Sequence, residues 1–469
     1  MNFRTSASFS ALLALSALAH ASRLPTSFDG YITNIESANE FDVGSRHVIC
    51  DAHTTRSLAF TNPDQTQTFD VGLHVGSRIR VDGAFRKPTG TFVARSIEAL
   101  PVVGDKQQPG AKIAGEGLIQ EAPELHRDGK NWSGTLWIDG YLLHVTPKTE
   151  ILADDGSVFP ADKVGTNLWA SYESVRQTDR TLEVTSMTLS PNRIDANEVK
   201  FRDKYEPGIV LPNYAKHTPG AVKSKLAWTL DILPDKTIQD YVTSVGNRLV
   251  PQFQRDLPAS DPAKINFRFY VIQRPSKWKE TFKDAGATPG GLILVPDNVL
   301  AALDNEAQLA AILSNCIAAT LEKQIYAHRA RIETQKVIGW AGTGVGLFGG
   351  VAGLADAPLQ IGDSIAAHNL MLQMNEKASR IGLRYMIQNG YDIREAPYTW
   401  TVAANHRVEN PQAKYDIPEP LVQSLMNDVR LNYDGTNFGS LKTDRDPYQQ
   451  MLTQLRSAAP KLPKPKNDS

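Results

Sequence analysis

Cysteine is almost absent: the 469-residue chain holds two, Cys50 and Cys316. One falls in a strand-like run and the other in a helical one, far apart, so a disulfide framework is not the stabilising device. Charge of one sign is lacking too. Lys and Arg number 50 against 51 Asp and Glu, a formal net charge of -1. That balance excludes a broad electrostatic footprint for nucleic acid or an anionic membrane. Long apolar runs are scarce after the first twenty residues. The apolar stretch from Val337 to Leu354 holds seven glycines in eighteen residues, a composition that disfavours a spanning helix. Within it Gly344-Val345-Gly346-Leu347-Phe348-Gly349 matches a dinucleotide-loop string, but it follows a charged helical pattern with no strand before it, so it reads as a loop.

What is present begins with export. Arg4 precedes the apolar run Ala11 to Ala19, and Ala19-His20-Ala21 ends it with a small-x-small pattern. This reads as a signal peptide over residues 1–21, cleaved before Ser22, which leaves an exported protein in the periplasm or outside the cell. No membrane span is expected after cleavage.

The length suggests about two to four domains. Residues 22–100 alternate in short strands broken by Gly, Asn and Asp, as in Tyr31-Ile32-Thr33-Asn34-Ile35. A Pro/Gly linker over 101–112 leads to a second strand-rich region, 113–191. The two regions read as a repeat. Val75-Gly76-Ser77 opens a stretch closing at Leu100, and Val164-Gly165-Thr166 opens one of similar length closing at Leu189. The spacing predicts two small all-β, OB-like barrels. Their strands lack the basic stripe interleaved with aromatics that single-strand nucleic-acid binding needs, so they read as spacers or protein-docking modules.

Residues 192–225 read as an irregular polar linker. Beyond them Ile238, Val242, Val245 and Leu249 recur at helical spacing, and Ile265, Phe267, Phe269 and Val271 alternate as a strand. Pro289-Gly290-Gly291 precedes the apolar run Leu292-Ile293-Leu294-Val295. A long helix is predicted after a cap at Asp304, reaching about Lys336, and a second from about Ile365 to Asn389, stopped by Gly390. A mainly helical α+β domain is thus expected over 226–456, with a disordered Lys/Pro tail at 457–469.

Five pieces in this order resemble the zinc metallopeptidases of peptidase family M-48 (HtpX/BepA-like). They are Tyr241-Val242-Thr243-Ser244-Val245-Gly246, Phe267 to Val271, Pro289-Gly290-Gly291 with its strand, Asn305 to Leu313, and Ile381-Gly382-Leu383-Arg384-Tyr385 with Gly390-Tyr391-Asp392. The resemblance implies a catalytic zinc held by an HExxH motif on the first long helix and a glutamate on the second, with an aspartate four residues after that glutamate. Each of these positions is altered. Asn315 stands in the first histidine's place, Cys316 in that of the general base, and Ala319 in that of the second histidine. On the second helix Asn375 replaces the glutamate and Ser379 the aspartate. The resemblance therefore implies a metallopeptidase-like domain without zinc, cofactor or catalysis. Its partner would be a protein or unfolded polypeptide, bound as an added strand along Leu292, Ile293, Leu294 and Val295. The alternative is an active zinc metalloendopeptidase with unusual ligands. Cys316 on an apolar helix face reads as packing, because His328 lies roughly 18 Å further along a continuous helix.

Overall fold

A computed structural model describes residues 27–458 except 44–45, 62–67, 71–72, 74–76, 87–90, 101–108, 123–124, 130, 180, 226–228, 274–284, 328–360, 398, 401–418 and 434–435. The expected signal peptide, the glycine-rich stretch and all but the start of the Lys/Pro tail lie outside the described residues. The chain divides into two compact units, Met1–Pro101 and Val102–Ser469.

In the first unit, alternating runs put one face of each strand inward, as in Arg78–Arg86, where Ile79, Val81 and Gly83 are buried. The strands are β1 (Ser27–Ser37), β2 (Glu40–Val43), β3 (Arg46–Ser57), a short hairpin β4 (Ala59–Thr61) and β5 (Thr68–Asp70), then β6 (Arg78–Arg86) and β7 (Thr91–Ala99). They close into a barrel in the order β1-β2-β3-β7-β6, with β3 and β7 parallel and the other barrel pairs antiparallel. Phe28, Ile32, Phe41, Val48, Ile79, Val81 and Phe92 fill it.

The second unit opens with β8 (Lys112–Glu121), a short β9 (His126–Asp128), β10 (Asn131–Ile138), β11 (Tyr141–Val145), β12 (Glu150–Ala153), β13 (Leu168–Arg176) and β14 (Leu182–Pro191). Around the ring β8 pairs β10, β10 pairs β11, β11 pairs β14 in parallel, β14 pairs β13, and β13 returns to β8. The long strands of both barrels thus follow the same connectivity, so the repeat read from the sequence extends to topology.

Residues 192–225 are not irregular. They form α1 (Ala196–Tyr205), capped by Asp195, and the hairpin β15 (Gly208–Val210) and β16 (Gly220–Lys223). These strands pair onward with β17 (Thr229–Ile232), so the third sheet begins well before residue 226. The element order continues α2 (Lys236–Leu249), α3 (Gln252–Asp256), β18 (Arg268–Ile272), β19 (Gly286–Ala287), β20 (Leu292–Pro296), α4 (Asp297–Ala302), α5 (Glu306–Leu321), α6 (Gln324–Ala327), α7 (Ile361–Gln388), α8 (Glu419–Asn432) and α9 (Arg445–Ala458). The sheet order is β15-β16-β17-β18-β20-β19. Its helices bury a core that also takes in Leu118 and Trp137 of the second barrel.

Two helix boundaries depart from expectation. Asn305, not Asp304, caps α5, its side chain accepting from the Gln308 N–H at 3.0 Å. The helix stops at Leu321 instead of running to Lys336, because Lys323 takes a left-handed conformation, φ 53°, before the short α6. Among the described residues no helix is long and apolar enough to cross a membrane.

Candidate functional site

Helix α5 is apolar around nearly its whole circumference and buried throughout except at Ala319, as a helix packed on all sides must be. It lies against α7, and Gly382 sets how closely. A Cβ there would meet the Ser314 Cβ at 3.1 Å and the Asn315 nitrogen at 3.3 Å, so a larger side chain would push the helices apart.

The positions singled out in the sequence meet across this contact. The Asn315 amide donates to the Ser379 hydroxyl at 2.7 Å and, more weakly, to the Asn375 carbonyl at 3.4 Å. Asn375 is 3 % exposed, and among the described residues its side-chain amide nitrogen has no partner. Cys316 is packed into the hydrophobic core and forms no disulfide. Ala319, one turn beyond Asn315, lines a small, open surface cleft together with Glu198, Arg202, Pro289, Thr320, Lys323 and Tyr326. Glu376 turns away from the contact and accepts from the Ser424 hydroxyl at 2.7 Å. Sequence spacing thus places Asn315, Asn375 and Ser379 together.

This set does not fit a zinc ion. The Asn315 amide presents its N–H to Ser379, a donor where a ligand must offer a lone pair, and Ala319 has no donor atom. Among the described residues one group of three suits a metal by distance: Glu36, Asp42 and His47 on the first barrel. His47 is already hydrogen-bonded to Asp42 at 2.9 Å and Glu40 at 3.0 Å. The Asp42 hydrogen bond leads in raising its pKa.

The expected peptide-binding edge is corrected. Leu292, Ile293, Leu294 and Val295 lie in β20, paired on one side with β18 and on the other with β19. All four are buried, Ile293 at 0 % exposure. The run is buried on both faces as a core strand is, and at Ile293 and Leu294 the edge that an added peptide would need is taken by β19.

Sequence reasoning missed the charged face of α7. Lys377, Arg380 and Arg384 share that face by helical spacing, and all three dock onto the second barrel. Lys377 Nζ lies 3.0 Å from Glu322 and donates to the Glu116 carbonyl at 2.5 Å. The Leu118 N–H donates to the same Glu322 at 3.1 Å. Burial raises the Glu322 pKa against the pull of Lys377. Burial works against the Lys377 charge, yet Glu322 and Asp139 outweigh it and hold that pKa above its ordinary value. Arg380 grips the β10–β11 turn, bonding the Asp139 carbonyl at 2.6 Å and its carboxylate at 2.7 Å, with its guanidinium 4.1 Å from the centre of the Tyr141 ring. Asp139 and Gly140 both have positive φ, 57° and 72°, forming the tight two-residue hairpin that an Asp-Gly pair favours. A Cβ on Gly140 would come within 2.7 Å of the Arg380 backbone. Arg384 clasps the Glu121 carboxylate with two nitrogens and covers Trp137, which stacks on Tyr433 at 5.4 Å.

Residues 29–98, the first barrel, match a family described as a domain of unknown function, DUF5666. The match spans that barrel and none of the helical region. No curated protein matches the chain.

Proposed function

We propose that the protein is an exported, non-catalytic binding protein, a metallopeptidase-like helix pair with its metal chemistry lost, which holds a polypeptide or protein partner in the periplasm or outside the cell. The observation that carries this reading is the 2.7 Å hydrogen bond from the Asn315 amide to the Ser379 hydroxyl. Asn315 and Ser379, two of the altered positions in the resemblance to peptidase family M-48, bond to each other across the helix contact. Ala319 supports the same reading, since a methyl group neither binds zinc nor activates water. The two barrels act as OB-like docking modules. Strand addition along β20 has no place in this proposal.

Zinc measured by mass spectrometry on protein purified without chelator is expected well below one per chain, and casein cleavage is expected to be absent with or without chelator. One tightly bound zinc together with chelator-sensitive cleavage would establish the working endopeptidase instead. Amino-terminal sequencing of the mature protein is expected to begin at Ser22. A mature chain still starting at Met1 would remove the export claim.

A further inference from the structure

The contact between α7 and the second barrel encloses a carboxyl group that the proposed function does not use. Asp428, on α8, is 6 % exposed. Its Oδ1 receives one long bond, 3.5 Å, from Asn432 of the same helix, and among the described residues its Oδ2 has no hydrogen-bond partner. The charges facing it come from three elements: Arg380 and Glu376 of α7, Asp139 of the β10–β11 turn, and Arg176 of β13. The phenols of Tyr141, on β11, and Tyr433, just past α8, also face it. The Arg380 guanidinium is already engaged by two carboxylates. Arg380 bonds Asp139 through two nitrogens, and its remaining terminal nitrogen lies 3.8 Å from Glu376. Ionised Asp428 is therefore a buried charge with one oxygen left without a hydrogen bond among the described residues, and such a charge is costly.

We infer that Asp428 is a pH-sensitive latch: protonated, it lets the second barrel close on α7 and α8, and ionised, it loosens that contact. Burial pushes its pKa up from 3.8 to about 7, with Glu376 and Asp139 adding to the rise and Arg380 and Arg176 opposing it. The unfolded chain ionises at the lower value and the folded chain at the higher. Between them the folded state holds a proton that the unfolded state has lost, so stability falls as pH rises through that window and levels off above it.

The test uses the full chain and Asp428→Asn, which keeps the shape and removes the titration. Thermal unfolding is followed from pH 5 to 8.5, with amide hydrogen exchange in the β10–β11 hairpin corrected for its intrinsic rate. The wild type is expected to lose about tenfold or more in hairpin protection across the range, with a falling midpoint. The variant is expected to lose most of that slope. A wild type with a flat profile overturns the latch, and so does a variant that keeps the full wild-type slope. Should the amide variant not fold, Asp428→Ser, smaller and likewise without a titrating carboxyl, is read by the same criterion.

Discussion

Asn315, Asn375 and Ser379 meet across the contact of α5 with α7, and the partners that their side chains take bear on what that contact can hold. The Asn315 amide donates into the Ser379 hydroxyl at 2.7 Å, while the buried Asn375 amide nitrogen has no partner among the described residues. The same geometry makes a quantitative prediction. If these helices hold the ligand positions of the resembling family, Asn315→His, Cys316→Glu, Ala319→His and Asn375→Glu together create a three-ligand zinc site. Calorimetric titration is expected to show zinc binding at least about 100-fold tighter than the wild type's, an amount that second-shell support alone commonly governs. A folded quadruple variant with no gain would mean that the helix register differs from the peptidase one. The variant is also expected to be less stable without metal, because position 316 is buried in the core and a lone carboxylate there is unfavourable.

At the scale of elements, the row Lys377, Arg380 and Arg384 decides how the second barrel is held. Arg380→Ala leaves the Asp139 carboxylate buried without its guanidinium partner, with only the long bond from the Tyr172 hydroxyl, and a loss of about 3–5 kcal/mol is expected in denaturant unfolding of the second unit. A loss below about 1 kcal/mol would show that the pair contributes no more than a surface bridge. Ile293→Ala tests the corrected strand, with a cost of about 2–5 kcal/mol expected from its fully buried side chain. Both barrels and the long helices were legible because their apolar spacing extends over many residues. Strands β15 and β16 were not, since three or four residues hold too little alternation to stand out from a polar stretch. The apolar run of β20 looks the same whether it lies at an edge or inside a sheet, and only the pairing with β19 separates the two. The early end of α5 has no glycine or proline signal, because a lysine takes the left-handed conformation. The basic row of α7 reads as a solvent face until the acidic groups of another element are brought to it.

Across the whole molecule, two barrels of one connectivity have unequal standing. The first has a core of its own, centred on Ile32, Phe41, Ile79 and Phe92, inside the first compact unit. The second has a core too, but it also sends Leu118 and Trp137 into the hydrophobic core of the helical region and anchors Arg380 and Arg384 through Asp139 and Glu121. Cooperative unfolding follows shared burial, so the chain is expected to show two calorimetric transitions, one for each unit. Deleting residues 1–101 should abolish one transition and leave the midpoint of the other within a few degrees. Removing residues 113–191 instead uncovers Trp137's partners and takes Asp139 and Glu121 away from Arg380 and Arg384, so the helical region is expected to lose its cooperative transition. If that region melted unchanged without residues 113–191, the second barrel would be an independent module like the first, and the charged face of α7 would be only a docking surface for it.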